Sequence, residues 1–173
     1  GESSYMALER AVEDLDKGFI DVLITAPINK DNIQGDNFHF PGHTEYLAEK
    51  FNTRDYAMLM VSESMKVGVV TTHIPISQVA QSLTKDKILS KIRIIAKSLQ
   101  QDFAITRPRI AVLGLNPHSG DNGLIGNEEI DIIIPAINQA KKEGIIALGP
   151  YPADGFFGSD DYTKFDAVLA MYR

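Results

Sequence analysis

Ile110-Ala111-Val112-Leu113-Gly114-Leu115-Asn116-Pro117-His118-Ser119-Gly120 is the stretch whose reading decides the fold. Its first four residues are an unbroken apolar run, the pattern of a strand buried on both faces. A loop rich in Gly and Asn follows, and Glu128-Glu129-Ile130-Asp131 opens a helix. A histidine just past the carboxyl end of such a strand stands where open α/β sheets place ligand-binding residues.

The same order of strand, polar tip and helix recurs on both sides. Downstream, a helix runs from about Glu128 to Glu143 and ends at Gly144, and Pro135 inside it predicts a kink or a split. A strand over Ile145 to Leu148 leads into Gly149-Pro150-Tyr151-Pro152-Ala153-Asp154, and Ala167 to Tyr172 reads as a further strand. Upstream, Thr84 is the expected N-cap of a helix whose Ile88, Ile92, Ile95 and Leu99 form an apolar stripe. Before it come strands at Tyr56 to Val61 and Val67 to Val70, then a short helix from Pro75-Ile76-Ser77. Nearer the start are a helix over Tyr5 to Leu15 stopped by Gly18, a strand at Ile20 to Ile24, and a helix over Thr44 to Phe51.

Alternating strands and helices predict a three-layer α/β/α fold around a mainly parallel sheet. The chain starts directly on a helix and reaches Arg173 straight after its last strand. Residues 1–173 therefore read as a single α/β unit from the central portion of a longer protein, with an incomplete sheet.

Hydrophobic residues make up 44% of the 173 residues, the ordinary globular share. No apolar run is long enough to span a bilayer, and no basic, apolar and cleavable leader is present. There is no cysteine, so any metal must be held by His, Asp or Glu. The formal net charge of −6, without a dense Lys/Arg cluster, argues against nucleic acid and for a small-molecule ligand. A cytoplasmic location fits this composition. GxGxxG, Walker A and GxSxG motifs are all absent.

Polar residues sit at four strand ends: Asn29 and Lys30, His73, Asn116 and His118, and Asp154. A parallel sheet brings such ends to one edge, where they can line one pocket. Each histidine taken alone reads more readily as a loop residue bonded to backbone. His73 and His118 together, both close behind strands and each within two positions of a proline, suit two ligands of a divalent ion such as Zn²⁺, which needs a third from elsewhere. Gly42-His43-Thr44-Glu45 puts His43 and Thr44 at a helix start, where unpaired N–H groups favour an anion or a side-chain cap. His39, between Phe38 and Phe40, reads as structural and partly buried. Lys30 reads as a surface lysine or as a functional charge, Asp154 as a turn cap or a rigidly held carboxylate. Gly123, Gly126, Glu128 and Glu129 are accounted for by loop geometry and helix-start charge.

Seven segments then occur in a telling order. They are Thr25-Ala26-Pro27-Ile28-Asn29-Lys30, Gly42-His43-Thr44-Glu45, Thr71-Thr72-His73-Ile74-Pro75, Gly114-Leu115-Asn116-Pro117-His118-Ser119-Gly120, Gly126-Asn127-Glu128-Glu129-Ile130-Asp131, Gly149-Pro150-Tyr151-Pro152-Ala153-Asp154 and Asp166-Ala167-Val168-Leu169-Ala170-Met171-Tyr172. This series resembles the central portion of the 4-hydroxythreonine-4-phosphate dehydrogenase family of pyridoxal phosphate biosynthesis. The resemblance implies an isocitrate-dehydrogenase-like fold and NAD- or NADP-dependent oxidation of 4-phosphooxy-L-threonine, assisted by Zn, Mg or Co. Decarboxylation to 3-amino-2-oxopropyl phosphate follows. It also implies a homodimer with a shared active site. His73 and His118 match two of three metal ligands, His43 and Thr44 match substrate-binding positions, and Asp154 and Lys30 match catalytic positions. No cofactor-binding residue is assigned. A relative acting on another phosphorylated hydroxy acid or a dihydrodiol, or a non-catalytic metal-binding, phosphate-binding or dimerisation domain, are the alternative readings.

One departure stands out. Where the family carries its third metal histidine, after Ala170-Met171-Tyr172, this chain has Arg173, a cation that repels a metal ion. The 173-residue polypeptide alone is expected to have little or no dehydrogenase activity. NAD(P)H production from 4-phosphooxy-L-threonine with added Zn²⁺ or Mg²⁺ measures this, and turnover near that of a full-length enzyme overturns it.

Overall fold

The computed structural model describes residues 1–35 and 38–173, apart from the side chains of Lys30 and Asp31. Two compact units make it up, residues 1–54 and 55–173.

The first unit holds α1 (Glu2–Asp16), α2 (Lys30–Ile33) and α3 (His43–Lys50). Leu8 and Val12 of α1 pack with Ile33, Phe38 and Tyr46, and Tyr5, Leu23, Ile28, Phe40 and Leu47 close the rim. Phe38 and Phe40 both turn into this cluster, meeting Tyr46 with ring centroids 5.3 and 5.5 Å away. Successive side chains of an extended segment alternate sides. His39 is consequently exposed rather than partly buried as expected.

The strand expected at Ile20 to Ile24 is a second correction, since no strand is assigned there. The alternation is present: Leu23 packs on the core while Val22 and Ile24 are 70% and 91% exposed. A strand also needs a neighbour's hydrogen-bond ladder, and none is formed with it among the described residues.

The second unit is a five-stranded sheet flanked by helices. In chain order its elements are β1 (Leu59–Val61), β2 (Lys66–Val69), α4 (Val79–Ser82), α5 (Lys85–Gln101), β3 (Arg109–Leu113), α6 (Ile134–Lys142), β4 (Ile146–Tyr151), α7 (Ala153–Gly158) and β5 (Ala167–Ala170). The strands run β1-β2-β5-β3-β4 across the sheet, and only β1 is antiparallel to its neighbour. This is the mostly parallel α/β architecture that the sequence pattern predicts.

Alternate strand residues serve the two faces. Ile110 and Val112 of β3 and Ala167 and Leu169 of β5 join α5 and α6 in one core. Ala111, Leu113 and Val168 face the other way, onto Phe156 of α7 with Tyr151, Tyr162 and Phe165. The α5 stripe reads as expected, with Ile88, Ile92, Ile95 and Leu99 each fully buried. Burying one such side chain is worth roughly 1.5–3 kcal/mol. Thr84 caps the helix, its Oγ1 accepting the Lys87 N–H at 3.2 Å.

Pro135 splits its helix as predicted. A π-helical turn covers Glu129–Ile133, and the α-helix begins at Ile134. Proline lacks the N–H for the ordinary bond, and its ring crowds the carbonyl four residues back, so the preceding turn widens. On the edge strand β4, Gly149 has φ +135° at a bulge opposite Ala111 to Leu113. A Cβ there would collide with the Val112 carbonyl. The bulge lets the strand continue past Pro150, which an edge position tolerates.

Between α5 and the end of α6, Arg93 grips Glu143 with two bonds, Nε to Oε2 at 2.7 Å and Nη2 to Oε1 at 2.6 Å. The guanidinium, helped by the Gln139 amide, pulls the Glu143 carboxyl down from 4.5 to about 2. A carboxyl lowered by folding stabilises above its unfolded pKa and loses that contribution as pH falls through the folded value. The stability difference between the native protein and Glu143→Gln is therefore expected to be full above about pH 5. It should shrink below pH 4.5 and vanish near pH 2, as read from urea unfolding across that range; a difference independent of pH would contradict the assignment.

Candidate active site

β2, β5 and β3 are parallel neighbours, so their carboxyl ends emerge side by side. The β2–β5 ladder runs beyond the strands: Val70 N–H donates to Ala170 O at 2.9 Å and Thr71 N–H to Met171 O at 3.2 Å. The buried Thr71 hydroxyl donates to the same Met171 carbonyl at 2.8 Å. His73 follows two residues later. On the far side of β5, β3 leads to Asn116 and His118. Tyr172 and Arg173 continue β5, so they leave the sheet from the strand between those bearing the two histidines.

A hollow of about 490 Å³ at this edge is lined by Asn116, His118, Asp154, Phe157 and Tyr172. A smaller one of about 140 Å³ holds Thr71, His73, Arg173 and the same Tyr172. The fold thus brings His118 and Asp154 to one hollow and His73 to its neighbour. All three side chains are exposed. Asp154 reaches its place on the first turn of α7, directly after the bulged end of β4. Among the described residues no group of three His, Asp or Glu is placed to hold a metal ion.

Both histidines sit on left-handed backbone, His73 at φ 54° and His118 at φ 52°. His118 opens a run of six residues to Gly123 that all have positive φ. Four of them, His118, Ser119, Asp121 and Asn122, are not glycine, and each such residue costs roughly 1–2 kcal/mol. Backbone of this kind persists only where surroundings hold it, and it gathers at functional sites.

The holding residue is one that the sequence reading explains away as helix-start charge. Glu129 is only 2% exposed. Its Oε1 accepts the N–H groups of Leu115 and Asn116, both at 2.7 Å, and its Oε2 accepts the Asn116 amide at 2.9 Å. The other hydrogen of that amide goes to Glu128 at 2.7 Å and holds the Glu128 carboxyl below the usual range. Nothing in the order of residues separates this clamp from two acids favouring a helix N-terminus; the difference lies in the direction of one side chain.

In the first unit, Gly42 is the N-cap of α3, so neither His43 nor Thr44 is its N-cap residue. Both lie half-buried on its first turn. His43 lines a hollow of about 280 Å³ with Thr25, Ala26, Pro27 and Ile28. Two of the segments singled out in the sequence therefore share a cavity. Lys30 opens α2, and its side chain lies outside the described residues.

The whole chain, residues 1–173, matches the family described as pyridoxal phosphate biosynthetic protein PdxA. The chain belongs to the PdxA family. A 4-hydroxythreonine-4-phosphate dehydrogenase of Bacteroides thetaiotaomicron is 52% identical over all of this chain and 48% of its own length. The protein of that name from Sulfurihydrogenibium is 44% identical over all of this chain and 53% of its own. The crystal structure of the Klebsiella pneumoniae enzyme superposes with a TM-score of 0.89 at 38% identity, over 98% of this chain and 52% of that one. The chain spans about half the length of the PdxA relatives it matches. Its mostly parallel α/β fold is that of the solved PdxA dehydrogenases.

Proposed function

We propose that these residues are the central portion of a cytoplasmic dehydrogenase that oxidises 4-phosphooxy-L-threonine with NAD or NADP and a divalent ion. The product is 3-amino-2-oxopropyl phosphate after loss of CO₂. The observation that carries this reading is the placement of His73 and His118 just beyond the strands flanking β5, with Asp154 in the hollow of His118. The donor chemistry fits a divalent ion in part: two imidazoles are borderline ligands suited to Zn²⁺ or Co²⁺, and further donors complete the shell. When bound, the ion lowers the pKa of the substrate hydroxyl and the nicotinamide accepts hydride.

This chain's residues do the rest. His73 and His118 would hold the ion through their ring nitrogens. Asp154, an exposed carboxylate on that hollow, takes or orients the hydroxyl proton. His43 and Thr44, on the first turn of α3, present N–H groups and side chains suited to the substrate's anionic end. Lys30 is assigned a catalytic part as a positive charge. In this reading the full-length protein forms a homodimer in which both subunits complete the site. A phosphorylated substrate is consistent with the family, whose curated members are 4-hydroxythreonine-4-phosphate dehydrogenases.

In the full-length protein, His73→Ala and His118→Ala are each expected to weaken Zn²⁺ binding beyond the 10–100-fold typical of lost supporting residues. Asp154→Asn should keep the metal and lower kcat by on the order of 10²–10⁴. Wild-type metal content and turnover in both histidine variants would sink the proposal. A substrate panel of 4-phosphooxy-L-threonine, other phosphorylated four-carbon acids and a dihydrodiol decides the substrate by kcat/KM.

A further inference from the structure

We infer that Glu129 is a positioning residue of the site, a buried carboxylate that holds the His118 loop in its left-handed form. The inference rests on the metal-site reading of His118. Three observations carry it.

The first is the strain. Residues His118 to Gly123 have φ of 52°, 51°, 81°, 43°, 53° and 95° in sequence. Backbone of this kind persists only where its surroundings hold it. Its own bonds are local: those of the 3-10 turn Pro117–Gly123, and at its ends Ser119 N–H to Asn116 O, Leu124 N–H to Asp121 O and Ile125 N–H to Gly120 O.

The second is the position of the carboxylate. Glu129 touches the loop on both sides of His118. Before it, the carboxylate accepts the N–H groups of Leu115 and Asn116 and the Asn116 amide. Behind it lies Gly120, where a Cβ would come within 2.7 Å of Oε2; at Gly114 a Cβ would come within 3.0 Å of Oε1. The loop is wrapped around the carboxylate, and two positions are glycine where the wrap is tightest.

The third is the type of group. The three groups that donate to this buried acid, two backbone N–H groups and one amide, all belong to the loop it holds. A buried carboxylate is tolerated when such donors satisfy it. Glutamine in its place keeps the shape but presents its own NH₂ to a donor, either the backbone N–H pair or the Asn116 amide. The chemistry therefore calls for two acceptor oxygens.

Glu129 does not line either hollow. It acts through the loop, setting where the His118 imidazole stands.

The test uses Glu129→Gln, His118→Ala and the double variant in the full-length protein. Three readouts apply: local hydrogen exchange, Zn²⁺ affinity by chelator competition, and the absorption spectrum of the Co²⁺-loaded protein. Glu129→Gln should speed exchange at residues 115–125 by 100-fold or more while β3 and α5 keep their protection. It should weaken Zn²⁺ by about 10–100-fold and change the Co²⁺ spectrum. The double variant should bind no more weakly than His118→Ala alone, since both changes act through one imidazole. Unchanged loop exchange, or additive losses in the double variant, overturns the inference. Faster exchange combined with wild-type affinity in His118→Ala supports the clamp and instead overturns the metal reading. Asn116→Ala, which removes one donor and leaves Glu129 in place, covers the case in which Glu129→Gln does not fold: it should speed the same exchange by a smaller factor, and no change there overturns the inference.

Discussion

The two-sided ladder of β5 is the constraint on which the second unit depends. Ala167–Ala170 pairs in parallel with β2 on one side and β3 on the other. Its side chains alternate between the α5/α6 core and the α7 core, so it belongs to both hydrophobic clusters. Because all three strands run the same way, whatever follows them is delivered to one edge. Residues His73, His118 and Tyr172, spread over a hundred positions, become neighbours in consequence. No local interaction among these loops would gather them; the ladder does it as a by-product of closing the sheet.

Much of this was legible in the chain. Apolar runs and a period of about 3.6 marked the strands and helices of the second unit, Thr84 announced its helix, and Pro135 announced the break in another. These signals are local, and local chemistry enforces them. The segment Ile20 to Ile24, expected as a strand, is different. Its apolar alternation is real, yet a strand exists only by pairing, and pairing is not written in one segment. His39 failed for a related reason, because flanking aromatics say which way they point and thereby that the residue between them points out.

The candidate site divides along the same line. Positions behind strands were readable because the parallel sheet makes strand ends converge. The left-handed turn and its clamp were not, since Glu128 and Glu129 satisfy the rule for helix starts whatever else they do. A carboxylate that holds a loop and one that favours a helix dipole look alike until direction is known. Among relatives twice as long, the same segment keeps this fold, at a TM-score of 0.89 to a solved member. The strained loop therefore lies in a framework shared across the family.

The π-helical turn at Glu129–Ile133 has a consequence for how this segment can vary in length. A π turn amounts to one residue more than an α turn would use. Deleting any one of Ile130 to Ile133 would leave α6 a regular helix behind Pro135, with little loss of its buried face. The same deletion would swing Glu129 by about 100° around the helix axis. Its carboxylate would then leave Gly114 and Gly120 for solvent. Substitution and deletion are thus unequal insults here. The spacing between Glu129 and Pro135 encodes an angle, and insertions or deletions within it are read as rotations.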